Sequence, residues 1–266
     1  MLAVLEATLE AALDRPDALG AALQAFVSTG QLAEIVERLA SAYRPDAPDP
    51  APGGLDDDAL PLIRALRFAL SVQIAPGTGG PLCIPAADQL VLVIARAPVE
   101  VVRYRIATGV DLEVFDPSAS LAVLDRRAYT GEPIWERRAD RVVHDYRAAA
   151  PFARLCLALR PSIGQRWVFD RSSLRASFPM LGSLDDSGDV ALCRMVAALP
   201  ERRALPMLLD LAGHRSHAVR WAAIQAIGKL DGREGRRLLE RAAHDPHPHI
   251  RAAAQRTLSR LGAAAP

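Results

Sequence analysis

Val219-Arg220-Trp221-Ala222-Ala223 and, 31 residues later, Ile250-Arg251-Ala252-Ala253-Ala254 are the stretches that decide the architecture. The first runs on to Leu230 and the second to Leu261, while Leu208-Leu209 returns as Leu238-Leu239 at an offset of 30. Val190 to Leu199 is an earlier, weaker copy of the same first helix. Two helices per period of about 30 residues make a solenoid, because one helix pair cannot bury its own apolar face and must stack on the next. Val219, Ala223, Ile227 and Leu230 fall on one helical face, and small alanines let neighbouring helices approach closely. Arg220 and Arg251 occupy the same place in the first turn of their helices. Gly228 and Gly262 are expected at helix ends, where a left-handed cap suits glycine.

Val219-Arg220 followed by Ala222, Ala223, Ala226, Ile227 and Gly228, after an inner helix with Ala204-Leu205-Pro206, resembles the HEAT-like repeat of the phycobilisome-lyase type. The final repeat matches through Asp245, Ile250-Arg251, Ala253, Ala254 and Leu258. It departs at Thr257, where the pattern prefers alanine, and Arg215 stands in the preceding copy where the pattern prefers aspartate. The resemblance covers residues 185–262. It implies an α-solenoid with a protein-binding habit and no particular activity. Lyases acting on bilin chromophores are one branch of that family, which nothing in this chain singles out.

Upstream the texture changes. Leu90 to Ile94 is a continuous apolar run and Val99 to Ile106 alternates in part. Further strand-like segments are Leu112–Phe115, Leu121–Leu124, Ile134–Glu136, Val142–Tyr146, Leu155–Leu159, Trp167–Phe169 and Leu174–Phe178. Short strands at regular spacing, bounded by Asp, Pro, Gly and Ser, predict an antiparallel sandwich or barrel. Residues 118–128 and 140–152 also read as helix, since Ala and Arg dominate them. Nine such strands behind a helical preface resemble a cupin-like jelly roll in outline. A metal-dependent cupin draws several histidines and a carboxylate from its strands. His144 is the only histidine before His214, so that resemblance implies a metal-free domain.

The N-terminal part reads as helices. Leu2, Leu5, Leu9 and Leu13 make one stripe, Leu19, Leu23, Phe26 and Val27 a second that closes near Gly30, and Leu32, Ile35, Val36 and Leu39 a third. Pro45, Pro48, Pro50 and Pro52 mark an exposed linker, and Asp56 to Asp58 are expected to cap a helix running to about Leu70 or Val72. The whole is an α+β chain: an N-terminal helical segment at 1–43, a linker at 44–54, a helix plus β-rich domain at 55–180, and HEAT-like repeats at 185–262.

Composition narrows the function classes. No apolar run reaches the roughly 18–20 residues of a membrane helix, and the N-terminus turns acidic at Glu6 without a basic segment, which points to the cytoplasm. Cys83, Cys156 and Cys193 are too sparse for a disulfide framework or a zinc site and read as buried thiols. Lys229 is the only lysine. Residues 1–62 carry 11 Asp/Glu against 3 Arg, whereas residues 201–262 carry 12 Lys/Arg against 6 Asp/Glu. The two faces either meet each other or await a partner. No nucleophile elbow, phosphate loop, dinucleotide fingerprint or zinc-protease motif is present, and no cofactor or catalytic residue is assigned.

Three clusters stand out. The basic tail presents Arg220, Trp221, Arg236, Arg237, Arg241 and Arg251 to a protein partner with an acidic surface or to a second copy of the chain; a nucleic acid fits less well, because stacking aromatics do not interleave with the arginines. His214 and His217 align with His244 and His247, and with His249 they are the weak metal candidates, a solvated turn explaining them equally. In the β-rich domain Tyr129, Trp135, His144 and Tyr146 are expected to converge on a small-molecule pocket, with a half-exposed sheet as the alternative.

Overall fold

A computed structural model describes residues 2–42, 59–159, 165–182, 184–199 and 201–263. The expected linker and Asp56 to Asp58 lie outside them. The chain forms two compact units, the first from Met1–Val110, Pro117–Ser162 and Trp167–Phe178, the second from Asp111–Asp116, Ile163–Arg166 and Pro179–Pro266.

Helices α1 (Leu2–Ala12), α2 (Pro16–Ser28) and α3 (Gln31–Ala42) open the first unit. Pro16 sits in the first turn of α2, where its missing N–H costs nothing, and Gly30 joins α2 to α3 at φ +78. The strands are β1 (Ala59–Arg64), β2 (Phe68–Ala75), β3 (Leu82–Cys83), β4 (Gln89–Ile94), β5 (Val99–Ile106), β6 (Leu121–Tyr129), β7 (Pro133–Glu136), β8 (Val142–Arg147), β9 (Phe152–Leu159), β10 (Gln165–Phe169) and β11 (Ala176–Leu181). They form antiparallel sheets ordered β1-β2-β9-β4-β7, β11-β10-β3 and β6-β5-β8.

The large sheet is covered on both faces, which explains the unbroken apolar run of β4. Leu90 and Leu92, with Phe68, Leu70, Leu155 and Leu157, pack against Leu5, Leu9, Leu19, Leu23 and Phe26 of the helices. Val91 and Val93 turn the other way and meet Val99, Val101 and Tyr146 of the β6-β5-β8 sheet. Two buried faces leave no polar alternation to read. The helix expected to end near Leu70 or Val72 is instead the β1–β2 hairpin, in which Leu60 pairs with Val72. Phe68, Leu70 and Val72 face one way as strand residues, and Pro61 is tolerated because β1 is an edge strand. Leu112–Phe115 is a turn rather than a strand: the Asp111 carboxylate accepts from Glu113 N at 2.9 Å and its carbonyl from Val114 N at 3.1 Å. Residues 121–129 and 142–147 are strands, so the helical alternatives for 118–128 and 140–152 fall.

The second unit carries α4 (Leu184–Ala198), α5 (Leu205–Leu211), α6 (His217–Leu230), α7 (Gly232–Ala242) and α8 (Pro248–Ala263). Val190, Cys193, Leu208, Val219, Ala223, Ile227, Leu238, Ile250 and Ala254 form one core across them. Gly228 and Gly262 lie within α6 and α8 and neither has a positive φ, so neither is the left-handed cap the repeat suggested. Gly228 instead admits α7: a Cβ on Gly235 would stand 2.4 Å from Gly228 Cα. Both contacting atoms are backbone, so only helix separation relieves the clash. Gly235→Ala should therefore destabilise the repeats by about 1–3 kcal/mol despite alanine's better helix propensity. A thermal melt of the helical signal checks this; a melt at or above wild type would show that α6 and α7 are free to part. No helix among the described residues is long and apolar enough to cross a membrane.

Candidate functional site

The first unit buries a polar cluster between its sheets. Strand alternation in β7 turns Ile134 and Glu136 inward, and β8 does the same for Tyr146. Glu136 Oε1 accepts a hydrogen bond from the Tyr146 hydroxyl and Oε2 accepts one from Gln89 Nε2. His144 Nδ1 lies 3.7 Å from Glu136 Oε1, its side chain only 4% exposed, and it makes no hydrogen bond. Arg154 sits over the Tyr146 ring at 5.0 Å and donates to Gln73 Oε1 at 2.9 Å. Burial, reinforced by Glu136, holds the Tyr146 phenol well above its ordinary value, and burial pushes the Cys156 thiol up to about 12. Tyr146 is thus a fixed hydrogen-bond donor and Cys156 an inert core thiol.

Of the four residues expected to converge, Tyr146 lies in this cluster, and Tyr129 packs against the apolar core to which Tyr146 also belongs. His144 joins them through Tyr146, at 6.4 Å between ring centroids. Trp135 does not. It alternates with Ile134 and Glu136 and packs on the helix-covered face, with Arg137 at 5.6 Å over its ring. Glu136, Gln89 and Arg154 were missed. The legible signal for Glu136 was its place two residues from Ile134, on the same strand face. The donor set does not fit a cupin metal: the cluster offers one imidazole, and its carboxylate is already engaged by Tyr146 and Gln89.

Burial lowers the pKa of His144 more than neighbouring Glu136 raises it, so the ring is neutral at pH 7 and the 3.7 Å approach is not an ion pair. The unfolded chain takes up this proton near pH 6.5 and the folded one only at lower pH. Stability is therefore complete above that value and declines as pH falls below it. Urea midpoints measured from about pH 7.5 to 5.5 should drop, and His144→Gln should flatten the slope by up to about 1.4 kcal/mol per pH unit. The remaining slope belongs to His217 and His249, whose pKa values are also lowered. A His144→Gln slope equal to wild type would mean that the ring is charged when folded.

The second unit gathers histidines at one edge of the repeats. His217 opens α6, and His247 and His249 flank Pro248 at the start of α8. His217, the first residue of α6, and His247, the residue just before α8, stack their rings, with centroids 3.7 Å apart and planes 6° from parallel. His249 meets His247 edge-on at 5.2 Å. His247 Nε2 lies 2.7 Å from the Glu113 carbonyl oxygen, which only accepts, so that nitrogen carries the hydrogen. Its Nδ1 is then a bare lone pair, buried and without a hydrogen-bond partner. Burial, then His247 and Arg220, bring His217 down to about 4, and burial followed by His247 lowers His249. His214 and His244 stay out of the group: His214 Nδ1 accepts from Ser216 N at 3.1 Å, and His244 Nδ1 faces the Glu240 carbonyl at 3.2 Å.

The repeat arginines divide into two kinds. Arg220 donates to the carbonyls of His214 and Arg215, and Arg251 repeats the geometry on Asp245 and Pro246. Arg220 also grips Asp245 at 3.0 and 2.8 Å, which ties its own loop to that of the next repeat. These two arginines, read from sequence as partner contacts, close loops inside the unit. Trp221 is half-buried against the repeat core. Arg236, Arg237 and Arg241 are exposed on α7, the first two beside Glu240 and Glu234 at 3.3 and 2.9 Å.

The repeating helices and their loop-closing arginines define the second unit as an α-solenoid. Residues 178–259 match the HEAT-repeat family. No curated protein matches the chain. Among solved structures, similarity falls on cupin-fold proteins. Hydroquinone 1,2-dioxygenase from Sphingomonas sp. TTNP3 is 16% identical with a TM-score of 0.32, covering 41% of this chain and 70% of that one. A cupin domain from Bordetella pertussis Tohama I is 14% identical with a TM-score of 0.23, covering 39% of this chain and 94% of that one. An RmlC-like cupin protein from Ralstonia eutropha JMP134 is 11% identical with a TM-score of 0.25, covering 48% and 68%.

Proposed function

We propose that the chain is a non-catalytic accessory protein that binds a protein partner with an acidic surface through its HEAT-like tail. The match of residues 178–259 to HEAT repeats carries this reading, since helix-pair stacks offer extended binding surfaces. Two features of the unit support it. Helix α7 turns Arg233, Arg236, Arg237 and Arg241 to solvent, and α4 exposes Leu192 and Met195 three residues apart on one face. Exposed arginines can steer a charged partner, and exposed apolar side chains can anchor one. Replacing Arg236, Arg237 and Arg241 together by Glu tests it. These side chains touch no core, but reversal turns the Arg236–Glu240 and Arg237–Glu234 pairs into like charges, so stability should fall by about 1 kcal/mol and the fold should persist. The polypeptide that co-purifies with the wild-type chain from its host should be lost, and equal recovery with the variant would remove α7 from the interface.

The buried Glu136, Tyr146 and His144 cluster favours a second reading for the first unit, as a small-molecule-binding module. His144→Ala and Tyr146→Phe would then release a bound metabolite while the fold persists. Indifference to both leaves the first reading alone.

A further inference from the structure

We propose that His217, His247 and His249 form a binding site for a divalent transition-metal ion of the zinc, copper or nickel type, with three imidazole ligands and a fourth position open to water. The ligand atoms that these residues offer all lie within 4.8 Å of one another. Bonds of about 2.1 Å in a tetrahedron set nitrogens about 3.4 Å apart, so closing the set requires the His217–His247 stack to open as the His217 ring tilts out of parallel. His249 is exposed and has room to turn.

The observation that separates this group from a solvated turn is His247. Its Nε2–H is spent on the Glu113 carbonyl at 2.7 Å, which fixes the tautomer and aims Nδ1. Nδ1 is buried with no hydrogen-bond partner, an expensive arrangement unless something accepts its lone pair. A histidine ligand held through its other nitrogen by a backbone carbonyl is the usual support of a metal site. The stacked partner, His217, opens α6, whereas His247 and His249 lie at the start of α8, so an ion here would tie α6 to α8.

Ligand chemistry sets the class of ion. An all-imidazole set suits zinc, copper and nickel, and lacks the oxygen ligands that calcium and magnesium require. The nearby carboxylate of Asp245 is committed to Arg220 and to His247 N at 2.7 Å. The helix dipoles at the starts of α6 and α8 oppose a cation, but each by only about two- to fivefold in affinity. Three coordinate bonds outweigh that by orders of magnitude.

The test uses the full chain with any affinity tag removed, stripped with chelator, and titrated with Zn²⁺ against a chromophoric competitor. Uptake of one equivalent is expected, together with a rise in the melting temperature of the helical signal. His247→Asn should weaken binding by about 100-fold or more. His249→Asn, at an exposed position that leaves folding intact, should weaken it in the same direction. His214→Asn and His244→Asn should bind as wild type does. No uptake, or equal loss on removing His214 or His244, would overturn the site.

Discussion

Asp145→Ala should cost the first unit about 3 kcal/mol. The Asp145 carboxylate is 1% exposed and receives Arg147 Nε at 2.7 Å and Arg171 Nη2 at 2.7 Å. Arg147 passes the connection on to the Tyr104 hydroxyl at 2.9 Å, and Arg171 also donates to the Gly80 carbonyl at 2.8 Å. Breaking a buried pair by removing one partner costs about 3–5 kcal/mol when the other charge is stranded. Both arginines are about one-third exposed and recover some water, which places the figure at the lower end. Arg171→Ala should cost less, about 1–2 kcal/mol, because Asp145 keeps Arg147. Urea unfolding of the two variants checks both numbers. Equal costs would mean that Arg171 alone holds Asp145.

Arg220→Ala should cost the second unit about 2–4 kcal/mol, because one guanidinium bonds two loop carbonyls and a carboxylate at once. The pair is more buried than Asp145's arginines, at 15% and 11% exposure, so less water returns on truncation. Burial alone would raise the pKa of Asp245; the Arg220 hydrogen bond and the His247 N–H reverse this and lower it. Arg220→Lys should recover less than half, since an ammonium cannot span the forked contacts. A double-mutant cycle with Asp245→Ala should give a coupling energy above about 1 kcal/mol. Independent effects would mean that the two residues act through separate loops.

Different parts of the chain were legible to different degrees, for physical reasons. The repeats could be read because one helix pair recurs at an offset of about 30 residues, and a recurring pattern resists local ambiguity. Leu5, Leu9, Leu19, Leu23 and Phe26 were readable as helical stripes because only one side of each helix is buried. The β1–β2 hairpin was misread, since apolar residues crowd residues 59–70 too closely to show a period of two. Pro61 inside the expected helix was the available warning. Trp135 faces the helices because Ile134 and Glu136 set the phase of the strand, which aromatic content does not report. Glu113 gave no local signal: its contribution to the histidine group is a backbone carbonyl, 134 positions from His247. Likewise, alignment placed Arg220 and Arg251 at equivalent points but did not show that both turn back onto the preceding loop.

Native mass spectrometry of the chain isolated gently from its host tests the proposed function most directly. Docking through the HEAT-like tail predicts a complex whose extra mass is that of a second, different polypeptide. It should dissociate on replacement of Arg236, Arg237 and Arg241 by Glu. A bare chain, or one carrying only a small-molecule increment that persists in that variant, would contradict a protein-binding role for the tail and move the function to the cluster around Glu136 and Tyr146.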